Sequence, residues 1–272
     1  MSKKKNVVMV IGTGTIGEPL IGLLSSLKSR LGIEDVLFHK RTPLIEECAK
    51  VNSLISKGAK LVVDDDRIEE FKALGHEPYS TFNHGLYESD VIIDCTPVGN
   101  KNKDMHYLGL DAEMPGCKRF IAQGSEKGFG IPYAYGINDE KLKGNTAPSR
   151  FLQVVSCNTH AISRLVKCLS PSGVSGVRSA DIVCIRRAND LSQDSGFTPS
   201  PTCGKHTDDV YGTHHARDVS DLFSTIDINQ LNITSSAMKV NSQYMHSLRF
   251  CIEVEGHVST DDVLKLMSDD RF

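Results

Sequence analysis

A chain of 272 residues, 39% of them hydrophobic, can bury two modest cores, so two domains are expected. Lysine and arginine number 31 against 34 acidic residues, a formal charge of -3, which supplies no global field toward nucleic acid or an anionic membrane and leaves small molecules as the expected partners. No run is long enough to span a bilayer or form a signal-peptide core, and the eight cysteines (48, 95, 117, 157, 168, 184, 203 and 251) lack CxxC or zinc spacing, so they read as reduced thiols of a cytoplasmic protein without a metal site.

NVVMVI, residues 6 to 11, reads as a buried strand. The glycine loop GTGTIG follows it, and IGEPLIGLLSSLKS then reads as a helix with Ile16, Leu20, Leu23, Leu24 and Leu27 on one face. DVLFHK is a second strand, PLIEECAKVNSLISKG a helix with Pro43 in its first turn and Gly58 at its end, and AKLVVDD a third strand. DDRIEEFKALG gives a further helix, while SDVIIDCTP and KRFIAQGSEKG give strands that each end in a turn. This alternation predicts an α/β architecture, a Rossmann-type parallel sheet over residues 1–156. Beyond it, SGVRSADIVCIRRA, NQLNITSSAMKV and HSLRFCIEVEG read as longer strands of a mixed or antiparallel sheet, an α+β catalytic domain over residues 157–272. The Gly-, Pro-, Ser- and Thr-rich stretch from Asn189 to Asp218 is expected to be a long functional loop.

GTGTIG sits between a strand and a helix, where its glycines have a physical task. Gly12 permits a tight turn, Gly14 lets the backbone approach a diphosphate, and Gly17 lets helix and strand pack closely. The loop as a whole (Gly12, Thr13, Gly14, Thr15, Ile16 and Gly17) is therefore a candidate dinucleotide cradle, with the diphosphate at the helix N-terminus; an ordinary glycine-rich turn is the alternative. Where an NAD site usually carries an acidic residue, this chain has Lys40 and Arg41, which can pair with a 2'-phosphate or form a solvated basic corner. The cofactor expectation is accordingly NADP, or NAD as second choice.

In SCNTHAISRLVKCL, Cys157 falls just before or within the first turn of a helix, with Asn158 and Thr159 as capping candidates. A helix N-terminus favours a thiolate, and its amides can hold an oxyanion. Position alone leaves open a nucleophile or an inert buried thiol.

The ordered set GTGTIG, DCTPVGNKNK, QGSEK, VVSCNT, IRRAND, HHARDV and VSTDDVLKL resembles the archaeal-type (type II) glyceraldehyde-3-phosphate dehydrogenases along almost the whole chain. That resemblance implies Cys157 as nucleophile and His215 as the catalytic histidine, with His214 beside it. It further implies phosphate contacts from Arg186, Arg187, Asn158, Thr159 and Arg164, and cofactor contacts from Thr96, Gln123, Gly124 and Lys40. Adjacent strand residues face opposite ways, so only one of Arg186 and Arg187 is expected to reach the site. The implied activity is phosphorylating oxidation of glyceraldehyde 3-phosphate through a cysteine thioester in glycolysis or gluconeogenesis, with inorganic phosphate as co-substrate, in a cytoplasmic homotetramer. Relative to the family, GFTPSPTCGKHTDDVYG is divergent, Ala216 and Arg217 replace Gly-Pro, and the chain reads as C-terminally shortened, which would leave a sheet edge and apolar faces exposed. Two other readings stand beside this one: an aspartate-semialdehyde-type dehydrogenase, and a weakly catalytic NADP-binding homologue.

Overall fold

The computed structural model describes residues 6–123, 127–143, 148–170, 173–188, 201–204, 207–242 and 245–268. Two compact units emerge, the first from residues 1–130 and 144–153, the second from residues 131–143 and 154–272. The expected single boundary after residue 156 is thus replaced by three crossings. Local pairing accounts for them. Arg150 returns to unit 1 through a buried bidentate ion pair with Asp111 (2.6 and 2.7 Å), while Asn138 is tied to Thr225 of unit 2 (2.8 Å).

The strands of the first 154 residues are β1 (Val7–Ile11), β2 (Asp35–His39), β3 (Lys60–Val63), β4 (Ser80–Thr81), β5 (Val91–Asp94), β6 (Arg119–Gln123), β7 (Ile131–Tyr133, in unit 2) and β8 (Phe151–Val154). In unit 1 they lie in the order β4-β3-β2-β1-β5-β6-β8. From β4 to β6 every neighbouring pair is parallel. Helices on both faces explain why these short Val- and Ile-rich runs are so apolar: every residue of β1 is buried. Register sets the functional edge, because Ile11 lies opposite His39 on one side and Asp94 on the other, and Asp94 opposite Ala122. Gly12, Lys40, Cys95 and Gln123 therefore emerge together at the carboxyl ends of the strands, with the order reversing at β1, the usual place for a ligand crevice.

Helix α1 (Gly17–Ser26) buries Gly17, Ile21, Gly22 and Ser25, whereas Ile16 and Leu23 are exposed. The expected apolar face is corrected by about a quarter turn: Gly17 lets the helix start sit against the end of β1, with Leu20 and Leu24 packing at its flank. Helices α2 (Lys28–Leu31), α3 (Cys48–Ser56), α4 (Ile68–Ala73) and α5 (Phe82–Glu88) follow, α3 and α4 each entered through a one-turn 3-10 segment. After β5 come α6 (Gly99–Asn102), a π-helical turn (Lys103–Tyr107) and α7 (Leu108–Glu113). Polar GNKNKD conceals this segment in the sequence, yet Tyr107 and Leu110 anchor it in the core.

Unit 2 contains a four-stranded sheet in the order β10 (Thr202–Cys203), β13 (Ile233–Lys239), β9 (Val177–Arg186), β14 (Ser247–Val254). It is mixed, with β13 parallel and β14 antiparallel to β9. A small hairpin pairs β11 (Thr207–Asp208) with β12 (Gly212–Thr213). Helices α8 (Cys157–Cys168) and α9 (His214–Ser224) cover one sheet face, packing Ile162, Val166, Val219, Leu222 and Phe223 against Ala180, Ile182 and Ile233. From residue 207 on, the expected long loop is instead a hairpin and a helix, and His214 and His215 open that helix because Thr213 caps it; residues 189–200 and 205–206 of that expectation lie outside the described residues. Strand β14 forms a sheet edge where Phe250 is exposed, as are Leu264 and Met267 on α10 (Thr260–Met267). Among the described residues no helix is long and apolar enough to cross a membrane, and no group of histidine, cysteine or acidic side chains could hold a metal ion.

Candidate active site

In unit 1 the carboxyl edge of the sheet opens into a cleft of about 440 Å3. Gly12 and Thr13 line it from the end of β1, Lys40 and Arg41 from the end of β2, and Thr96 from the turn after β5. Gly12 adopts φ +92°, and a Cβ there would lie 3.1 Å from Thr96 Cγ2. At Gly17 a Cβ would collide with the Gly12 carbonyl oxygen, so the start of α1 can approach the end of β1 only because residue 17 carries no side chain. Around Gly14 the space is open, and the first turn of α1 has no side-chain cap. A dinucleotide diphosphate fits these features, since anions favour uncapped helix amides reached over a bare backbone. Thr15 and Ile16 are exposed on the loop, Gln123 ends β6 outside the cleft lining, and Gly124 lies outside the described residues.

A buried carboxylate shapes the turn after β5. Asp94 accepts hydrogen bonds from the Thr96 amide (2.9 Å) and hydroxyl (2.6 Å), from Asn102 Nδ2 (2.8 Å) and from the Tyr107 hydroxyl (2.6 Å). Burial, with the Asp94 charge added, pushes the neighbouring Cys95 thiol up to about 12, which keeps it protonated and inert. Sequence reasoning missed the far wall of the cleft. There the Asp64 carboxylate meets His39 Nε2 at 3.0 Å, and Phe82 packs between the His39 and His106 rings (4.5 and 5.2 Å). Asp64 follows β3 at the same carboxyl edge, a signal the strand pattern did carry. Hydrogen bonding to His39 holds its carboxyl below the usual range, against burial and aided by Arg41 and Arg67.

In unit 2, Cys157 is the exposed first residue of α8. Ser156, rather than Asn158 or Thr159, is the N-cap: its backbone is extended, so its hydroxyl reaches the Thr159 amide (3.2 Å), while Asn158 and Thr159 lie buried within the first turn. Capping leaves the Cys157 and Asn158 amides as the turn's open donors. His215 is buried as the second residue of α9, its amide donating to Thr213 Oγ1 (3.4 Å) and its ring 4.0 Å from that of His214. Thr213 and Ser235 hydroxyls pair at 2.6 Å and the Ala216 amide donates to Ser235, which locks the start of α9 onto β13.

Cys184, buried on β9, has its thiol pushed up to about 11 by burial, with Arg186 pulling it down and Cys157 adding to the rise. Arg186, the last residue of β9, lines a pocket of about 50 Å3 with Lys239 and the hydroxyl-bearing Thr202, Thr207 and Thr213. Its Nε is buried and has no hydrogen-bond partner among the described residues. Arg187 lies past the strand end, its amide donating to His246 Nδ1 (3.1 Å), and is absent from that lining. Arg164 sits about 10 Å along α8 from Cys157, where its guanidinium donates to the Tyr135 carbonyl (3.4 Å).

No family model matches the chain. It is 31% identical over 267 residues to the glyceraldehyde-3-phosphate dehydrogenase of Pyrobaculum calidifontis, covering 95% of this chain and 69% of that one. The Pyrobaculum arsenaticum enzyme of the same name is 30% identical (96% and 70% covered), and that of Archaeoglobus fulgidus 26% (97% and 71%). Among solved structures the chain is similar to aspartate semialdehyde dehydrogenase II of Vibrio cholerae, with a TM-score of 0.63 at 11% identity over 97% of this chain and 77% of that one. At that identity the likeness speaks for the two-domain fold.

Proposed function

The chain belongs to the archaeal-type glyceraldehyde-3-phosphate dehydrogenase family, and from that premise we propose that it oxidises glyceraldehyde 3-phosphate to an acyl phosphate through a Cys157 thioester, using NADP or NAD. The observation that carries the reading is Cys157 itself. It is exposed at the capped start of α8, beside the buried Asn158 and Thr159.

Cys157 thiolate adds to the aldehyde carbon, forming a C–S bond while the carbonyl oxygen takes up charge. The amides of Cys157 and Asn158 are the donors available to that oxygen. His215 gives a proton to that oxygen as the adduct forms and takes it back as the carbonyl of the thioester forms. When bound, the dinucleotide supplies the acceptor for the hydride leaving that carbon; Gly12, Thr13 and Thr96 are the residues to hold it. Inorganic phosphate then attacks the thioester carbonyl, and the C–S bond breaks to return the thiolate and release the acyl phosphate.

Support for a phosphate-bearing substrate rather than a plain carboxylate comes from the small pocket at Arg186. Two cations, Arg186 and Lys239, with the hydroxyl-bearing Thr202 and Thr207 around about 50 Å3 suit a tetrahedral oxyanion. The test is cofactor reduction with glyceraldehyde 3-phosphate, with and without inorganic phosphate, in the wild type and Cys157→Ser. Phosphate-dependent turnover is expected, falling by at least about 1,000-fold in the variant while dinucleotide still binds. Turnover that survives in Cys157→Ser would sink the covalent mechanism.

A further inference from the structure

Lys40 does not stand free to meet a cofactor. Its ammonium, on a side chain only 9% exposed, lies 2.5 Å from Glu47 Oε2. The other oxygen of the same carboxylate accepts from Lys50 Nζ at 2.8 Å, and Lys50 in turn reaches the Thr13 carbonyl (3.4 Å) and lies 3.7 Å from Glu18. Glu47 closes the one-turn segment Ile45–Glu47 that leads into α3, so a single carboxylate joins the end of β2, the first turn of α3 and the glycine loop.

We propose that Glu47 determines dinucleotide specificity by opposing the 2'-phosphate at Lys40. The inference rests on the reading that the cleft at the carboxyl edge of unit 1 takes a nicotinamide dinucleotide. Lys40 and Lys50 carry two positive charges, and Glu47 and Glu18 cancel both. Arg41 is exposed at that corner and acts electrostatically on Asp64, a further carboxylate of the cleft lining. A 2'-phosphate that takes a hydrogen bond from Lys40 must therefore sit within a few ångströms of a like-charged carboxylate, whereas the bare ribose hydroxyls of NAD meet no such repulsion and can donate to it. Burial favours neutral Glu47, but the hydrogen bonds from Lys40 and Lys50 outweigh it and hold the carboxyl below the usual range, so the opposing charge is present at neutral pH.

Calorimetric titration of the full chain with NADP and with NAD tests this in the wild type, Glu47→Gln and the double variant Glu47→Gln/Lys40→Ala. Glutamine keeps the size and one acceptor but removes the charge. The expected result is NADP affinity raised about tenfold in Glu47→Gln, with NAD changed less than about twofold, and the gain lost in the double variant. Equal changes for both dinucleotides, weaker NADP binding in Glu47→Gln, or a gain that persists without Lys40 would each overturn the proposal. Wild-type chain that binds neither dinucleotide would overturn the cofactor reading beneath it, and this inference with it.

Discussion

In unit 1 the strand that carries the glycine loop is buried along its whole length, and the cleft is made largely by backbone: a left-handed turn at Gly12, a helix start pressed onto it at Gly17 and strand ends brought level by register. In unit 2 the sheet is less sealed, with no residue of β14 fully buried, and the candidate site is made by individual side chains at the capped starts of two helices. The difference teaches where each unit is vulnerable. A backbone site tolerates most side-chain changes but not an added Cβ at the contact of loop and helix, whereas a side-chain site fails one residue at a time with its fold intact.

The sharpest way to break that contrast is to exchange the kinds of damage. His215→Asn should lower kcat by about 100-fold or more while leaving dinucleotide affinity unchanged in a binding titration; a comparable loss of dinucleotide binding would contradict the division of labour. Gly17→Ala should do the opposite, costing at least about 3 kcal/mol in urea unfolding, because the atom it strikes is the Gly12 carbonyl oxygen and not a movable side-chain tip. If that variant is as stable as the wild type, the contact is looser than its geometry implies.

Smaller effects sharpen the comparison. Ser156→Ala removes the α8 cap and should cost about 1 kcal/mol, read as a lowered Tm, together with a drop in kcat greater than the stability change explains, since the same turn presents Cys157. In unit 1, Asp64 titrates below the usual carboxylate value, so its stabilising contribution is complete above the unfolded value of about 3.9 and is lost as pH falls through the lower folded value. Asp64 is about one-third exposed, so the contribution is under about 1 kcal/mol. Asp64→Asn should lower stability near neutrality by up to about that amount and flatten the acid limb below about pH 4, so that the variant and the wild type converge in acid; an unchanged acid limb would show that the His39 contact adds nothing.

Much of unit 1 was legible because its signals are local. A run such as VVMVI can only be a buried strand if helices cover both faces, and GTGTIG placed after it leaves few ways to turn. Cys157 was legible for the same reason, since SCNT opening an amphipathic run marks a helix start, though the cap fell on Ser156 because a capping side chain belongs to the residue outside the first turn. His214 and His215 were misread as loop because the stretch around them is polar and their helix is announced only by Thr213. The helical segment from Gly99 to Glu113 escaped notice because two deep anchors, Tyr107 and Leu110, outweigh a polar start.

From its sequence alone the strand–helix alternation from β1 to α4, the backbone form of its glycine loop and a helix start at or beside Cys157 were legible, since each depends on interactions spanning a few neighbours. Only the tertiary structure decided that Lys40 is matched by Glu47, that Asp94 holds Thr96 in place, and that Arg186, unlike Arg187, lines a pocket with Lys239. Such pairings depend on where separate segments end in space, and a charge or a buried hydrogen bond is worth what its neighbours make of it, which no local pattern records.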